Sequence, residues 1–175
     1  TLLTAAFAAV LISLTAVDAS GMVIRNYSSA KHDVSSSTSF IGYGYDWTGI
    51  ASDSRATLVS PSYFISANHY HPGVGGSLTF TAADGSTVSR TIQSGARVTG
   101  TDIWVGRLNS AIPGSAGIAY YPVLELTSTA SYLGLTMFNY GAGNIVGRNV
   151  IDAVQTFTGV SGVNAAYVYD DPGLG

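Results

Sequence analysis

Apolar residues recur along this chain in short runs separated by turn-forming residues, and within the runs the spacing is two. Leu78, Phe80 and Ala82 alternate with Thr79 and Thr81, Asp84-Gly85 follows, and Val88 and Ile92 resume the alternation. A period of two places alternate side chains on one face of a strand, and Asp-Gly between two such runs predicts a hairpin. The same pattern predicts strands over 56–59 and 63–66, parted by Ser60-Pro61-Ser62, and a turn at His71-Pro72-Gly73-Val74-Gly75-Gly76. A further strand covers Ile103–Leu108. Pro and small residues then interrupt the pattern at Ile112-Pro113-Gly114-Ser115-Ala116-Gly117. A second set of strands is expected from Ile118-Ala119-Tyr120-Tyr121 onward, including 132–140, 145–152 and 166–169. The chain stops on the loop-like Asp170-Asp171-Pro172-Gly173-Leu174-Gly175.

Two stretches near the N-terminus do not alternate. Residues 2–17 (LLTAAFAAVLISLTAV) are continuously apolar, too short to span a bilayer comfortably, and are followed by the small residues of Val17-Asp18-Ala19. This pattern reads as a signal peptide over 1–19 and predicts export. An ordinary apolar helix or a membrane anchor is the alternative. The stretch has neither an initiating Met nor a basic n-region, so the reading frame is expected to begin further upstream. Residues 20–39 form a leader whose Ser28 to Ser39 portion (SSAKHDVSSSTS) is polar and aperiodic, with structure expected to begin near Phe40.

Composition narrows the class. Of 175 residues, 46% are hydrophobic and only 10% charged, enough apolar material for one sizeable core or two small ones. The 21 Gly and 11 Tyr, with many Thr and Val, favour strands joined by tight turns, so the expected class is all-β. A net charge of -3 without a basic run argues against a nucleic-acid partner. Cysteine is absent. That excludes disulfides, thiolate metal sites and a cysteine nucleophile, so nucleophilic chemistry would need an oxygen or nitrogen side chain.

Two residues carry candidate chemistry. His69 follows the strand Tyr63-Phe64-Ile65-Ser66-Ala67-Asn68, and Asp102 heads the strand Ile103-Trp104-Val105. A carboxylate at the head of an apolar strand needs a donor, and an imidazole N–H can be one. That pairing fixes the tautomer and leaves the other ring nitrogen free to take a proton from a hydroxyl nucleophile.

In these residues the chain resembles the chymotrypsin-like (trypsin-like) serine proteases. Ser66-Ala67-Asn68-His69-Tyr70 stands where that family has Thr-Ala-Ala-His-Cys, and Asp102-Ile103-Trp104-Val105 matches its Asp-Ile-Ala-Leu-type strand, in the same order. The resemblance covers about residues 40 to 170 and implies two six-stranded barrels with the site between them. The first barrel would cover 40–112, a linker 113–117, and a second, incomplete barrel 118–175. It implies a secreted serine endopeptidase acting on a protein or peptide substrate, with His69 as general base and Asp102 as its orienting carboxylate. No cofactor, no nucleic acid and no stable membrane insertion after signal cleavage are expected.

Departures limit the likeness. Asn68 replaces Ala and Tyr70 replaces Cys, and no basic residue precedes Phe40-Ile41-Gly42 to support activation by a new N-terminus. The Gly-Asp-Ser-Gly-Gly segment is absent. Ser115 falls in the linker, and Gly159-Val160-Ser161-Gly162 comes too early and lacks the preceding Asp. The nucleophile is therefore expected beyond Gly175, together with the oxyanion-hole amides and most of the specificity pocket. Two other readings stay open. One is a secreted, non-catalytic binding module of protease-like fold, with the turn Tyr43-Gly44-Tyr45-Asp46-Trp47 as a possible face. The other is a metal site built from His69 and His71 with Asp102 or His32.

Overall fold

Alternation decides the first sheet. In the computed structural model, which describes residues 24–155 and 164–166, strands β1 (Thr57–Leu58), β2 (Tyr63–Ala67), β3 (Ser77–Thr81), β4 (Thr87–Arg97) and β5 (Ile103–Leu108) form one antiparallel sheet in the order β1-β2-β5-β4-β3. Leu58, Phe64, Leu78, Phe80, Ile92, Trp104 and Leu108 all point to one side and are buried there. The intervening Thr79, Val105 and Arg107 face outward or lie at partial exposure. The expected hairpin is present, with Thr81 opposite Thr87. Its turn closes through Gly85 N–H to Ala82 O (2.9 Å), with Gly85 at φ +83°, and Asp84 Oδ1 accepts from Ser86 N–H (2.9 Å).

The sheet curls into a half-barrel because β4 serves two walls. Its first half pairs with β3 and its second half with β5. Between them the register shifts from Ile92 opposite Leu108 to Ser94 opposite Arg107. One extra residue on one strand bends it and increases its twist. The outer edges are then stitched by the segment 49–52. Ile50 bridges Thr57 and Leu58 N–H donates to Gly49 O (2.9 Å), while on the other side Ser52 N–H donates to Thr79 O (2.8 Å).

Trp104 fills the middle of the curl and sets its floor. A Cβ at Gly95 would collide with its indole, and a Cβ at Gly106, which lies opposite Gly95, would collide with both Trp104 and Phe64. Two facing strand residues without side chains are what allow so large a ring to lie flat against the sheet.

The interruption at Ile112–Gly117 does not lead into a new strand. Ile112 is buried and donates its N–H to Pro61 O (2.9 Å), residues Gly114–Ala116 make a 3-10 turn, and Ala116 and Ile118 pack on the same core. The strand expected at Ile118-Ala119-Tyr120-Tyr121 is extended chain lying on the first sheet instead. Ala119 N–H reaches Thr48 Oγ1 (2.9 Å) and Tyr121 N–H reaches Leu58 O (2.9 Å). The Tyr121 hydroxyl donates to Asp46 O (2.7 Å) and accepts from Gly49 N–H (3.2 Å). Apolar residues that sequence pattern assigned forward are thus used by the core behind them.

Beyond it, a 3-10 turn at Thr129–Tyr132 precedes the hairpin β6 (Thr136–Gly141) and β7 (Ile145–Val150); the two strands expected there are present but shorter, without residues 132–135 and 151–152. A short pair, β8 (Ala153–Gln155) with β9 (Asn164–Ala166), follows. The Ser-rich stretch before Phe40 also carries structure. Its helical turn α1 (Ser29–His32) buries His32, Asp33 bridges Ile145, and Val34 N–H donates to Asn144 O (3.0 Å). Polar residues there satisfy the edge of β7, which no apolar period could announce. Tyr45 and Trp47 pack on Phe138, with ring centroids 4.9 Å and 5.9 Å away, so this aromatic turn joins the leader side to the β6–β7 hairpin. The expected signal peptide, the Gly159–Gly162 segment and residues 167–175 lie outside the described residues. Among the described residues no helix is long and apolar enough to cross a membrane.

Two outcomes follow from this packing. Gly106→Ala should lower unfolding stability by about 1–3 kcal/mol through overpacking against Trp104 and Phe64, read as a lower denaturant midpoint with unchanged slope; an unchanged midpoint would contradict the tight floor. Burial pushes the Tyr121 hydroxyl up to about 12, only partly offset by the Gly49 N–H. Its folded value exceeds the ordinary 10.0, so its contribution to stability is complete below pH 10 and fades as pH rises through about 12. In a spectrophotometric phenolate titration one tyrosine that is missing in Tyr121→Phe should ionise last.

Candidate active site

The pairing of β2 with β5 ends at Ala67 opposite Ile103, and this register brings the next residues, Asn68 and Asp102, side by side. Asn68 N–H donates to Asp102 O (2.6 Å), closing the ladder. From there the chain leaves the sheet in a 3-10 turn, Asn68–Tyr70, which lifts His69 over the end of β5. The structure places the two residues in direct contact. Asp102 grips His69 twice: Oδ1 accepts the His69 backbone N–H (3.1 Å) and Oδ2 accepts the ring Nδ1–H (2.5 Å).

The loop before Asp102 is itself tied. Val98 N–H donates to Ile103 O (2.8 Å), the Thr101 hydroxyl donates to Val98 O (2.9 Å), and Thr101 Oγ1 accepts from Ile103 N–H (3.1 Å). Arg97 Nε donates to Thr101 O (2.5 Å). Asp102 therefore meets His69 from a fixed position. Neither sequence period nor composition singled out Thr101 or Arg97; Thr101 stands next to Asp102 in the chain, whereas Arg97 ends β4 and comes near only through the pairing of β4 with β5.

The His69 ring hydrogen bond holds the Asp102 carboxyl below its ordinary 3.8, aided by the His69 amide and by the charge of Arg97, and opposed by desolvation. The pair is open to water, with side chains 73% and 48% exposed. At that exposure its Coulomb energy adds little to stability. What the contact supplies is orientation. Because a carboxylate can only accept, Nδ1 carries the proton and Nε2 of the neutral ring is left as an acceptor facing away from Asp102.

The other candidate residues do not gather here. Residues 68–70 turn instead of continuing the strand, so His69 and His71 do not share a side. His71 stacks on Trp104 and donates Nδ1–H to Pro72 O (3.0 Å). His32 sits in α1, its ring against Tyr27 and its Nδ1 at 3.0 Å from Ser28 N. Among the described residues no group of three His, Cys, Asp or Glu side chains is placed to hold a metal ion. Ser115 is exposed in the 3-10 turn of the linker, and His69's hydrogen bonds among the described residues go to Asp102 alone.

Beside the pair lies a hollow of about 260 Å³ lined by Arg55, Thr57, Ile65, Ala67 and Ile103, on the outer face of β1, β2 and β5. Arg55 is fixed there by Asp53 (2.7 Å) and lies over the Tyr70 ring at 5.9 Å. Sequence reading passed over Arg55, since nothing in the order of residues places it near position 70.

The titration of Asp102 checks this geometry. Its side-chain carboxyl carbon should titrate by NMR with a midpoint below 3.8, and His69→Ala should move that midpoint upward. Because the folded value is depressed, the pair's contribution is present above the ordinary value and is lost as pH falls through the folded one. Equal midpoints in the two proteins would show that the hydrogen bond is not formed in solution. Compared with models of known protein families and with curated proteins, the chain matches none.

Proposed function

We propose that this chain is the His- and Asp-bearing part of a secreted, trypsin-like serine endopeptidase whose nucleophilic serine follows Gly175. The observation that carries the reading is the two-point hydrogen bonding of His69 by Asp102, which leaves Nε2 as a free acceptor at the end of a curled sheet. The order of the two residues, next to the ends of neighbouring strands, supports it, as does their place at the open rim rather than in the core.

In this reading the curled sheet is the first of two chymotrypsin-like barrels and β6–β7 belongs to the second. A serine Oγ–H gives its proton to His69 Nε2 as Oγ attacks the carbonyl carbon of the scissile peptide bond. The imidazolium so formed is stabilised by the Asp102 carboxylate, which stays ionised. His69 then returns the proton to the leaving amine nitrogen as the C–N bond breaks, and water repeats the cycle on the acyl-enzyme. The reaction needs no cofactor. Protein or peptide substrates, and export through the apolar segment 1–19, belong to the same proposal.

A second reading is a secreted binding module on this scaffold. One observation favours it: a hollow of about 710 Å³ lined by Tyr45, Trp47, Tyr140 and Asn144 lies beside the leader, away from the His69–Asp102 contact.

The coding sequence downstream of Gly175 separates the two. A Gly-Asp-Ser-Gly-like segment within about forty codons supports the protease by completing the second barrel and the triad, whereas an immediate stop codon supports the binding module. The longer protein should be labelled by a serine-directed phosphonate, and the 175-residue chain should not be. His69→Ala should lower kcat of the longer protein by about 10⁴–10⁶ and Asp102→Asn by about 10⁴, as in other triad enzymes. Full activity in His69→Ala would end the reading.

A further inference from the structure

His71 is the residue of this region that the proposed chemistry leaves unused, and its surroundings are unusually defined for a turn residue. Its ring lies face to face with the Trp104 indole, with centroids 4.4 Å apart and planes 5° from parallel. Its Nδ1–H donates to Pro72 O at 3.0 Å, which fixes the rotation of the ring. Trp104 is itself immobile by packing: it is 4% exposed, meets Phe64 at 5.5 Å, and rests on Gly95 and Gly106, where a side chain of any size would displace it.

The placement of these groups along the chain matters. The turn that carries His69 has three residues, Asn68–Tyr70. At its near end it is tied to β5 by Asn68 N–H to Asp102 O (2.6 Å). At its far end it is tied to β5 again, because His71 stacks on Trp104, two residues beyond Asp102. One strand therefore presents both the carboxylate that orients the imidazole and the platform that holds the turn bearing it. His69 itself is 73% exposed along its side chain, so packing does little to hold its ring in place. Stacked aromatic pairs hold beyond their buried area, a gain that an aliphatic side chain of the same volume does not have.

The geometry points to His71 as a positioning residue: stacked on Trp104, it fixes the far end of the 68–70 turn so that His69 keeps both hydrogen bonds to Asp102. It touches neither Asp102 nor the reacting atoms, and acts through the turn. This inference rests on the reading of His69 and Asp102 as a general-base pair.

The hydrogen-bonded Nδ1 proton of His69 gives a readout that a merely structural role would not move. In the 175-residue chain it should appear as a far-downfield proton resonance, identified by its loss in His69→Ala and in Asp102→Asn. In His71→Ala, with the far-ultraviolet circular dichroism unchanged, the resonance should disappear or exchange with water at least about tenfold faster. In the longer, active protein the same variant should lower kcat about 10- to 100-fold with KM unchanged, the scale of a displaced catalytic group. His71→Phe, which keeps a flat ring on the indole, should restore both signals, whereas His71→Leu should not. If His71→Ala does not fold, the Phe and Leu variants make the same comparison.

A wild-type resonance and kcat preserved in His71→Ala, or a Leu variant equal to the Phe variant, would overturn the positioning role while leaving the His69–Asp102 pair in place. An Asp102 carboxyl midpoint that His69→Ala leaves unmoved would instead remove the pair, and the proposed base with it.

Discussion

The antiparallel pairing of β2 with β5 is the constraint on which the candidate site depends. Ladder hydrogen bonds specify register one residue at a time, and a slip of one would send every side chain of β2 to the opposite face. Here such a slip would carry Phe64 out of the core and Tyr63 into it, so burial of a large ring enforces the register. With Phe64 opposite Gly106 and Ala67 opposite Ile103, Asn68 has no choice but to meet Asp102. The apolar core and the polar pair are thus two ends of one alignment: packing energy in the middle of the strands is converted into hydrogen-bond geometry at their rim.

The same strand carries a second consequence. Trp104 needs room, and the sheet supplies it at two glycines that face each other, one on each of two neighbouring strands. Those positions weaken local strand propensity, a cost offset by burying an indole among Phe64, Ile92 and Leu108. The indole then reaches the end of the curl, where its face meets His71. Phe64, Trp104 and His71 form a continuous run of rings from the interior to the half-buried turn residue.

The second part of the described chain is joined to the first by aromatic and backbone contacts of a different kind. Tyr45 and Trp47 lie against Phe138 and Tyr140, and the leader crosses to β7 through the Asp33–Ile145 bridge. The linker and the residues through Tyr121 stay on the first sheet. Chain order therefore does not map simply onto spatial neighbours: residues before Phe40 serve the late hairpin, and residues after Gly117 serve the early sheet.

What the amino-acid order determined by itself was local and periodic. Alternation of Leu78, Phe80, Val88 and Ile92 around Asp84-Gly85 specified a hairpin, because side-chain direction in a strand repeats every two residues and Asp-Gly favours the turn. The class, all-β, was legible for the same reason, and His69 and Asp102 were legible because each stands at a strand end in a recognisable order. The tertiary structure alone decided the contacts between residues far apart in sequence. Nothing local could announce that Trp104 would receive His71, that Arg55 would lie over Tyr70, that Tyr121 would bond Asp46, or that a Ser-rich leader would bury His32. Those outcomes depend on which surfaces remain uncovered once the sheet has curled, and a curl set by one extra residue in β4 is a property of paired strands, not of either strand's own sequence.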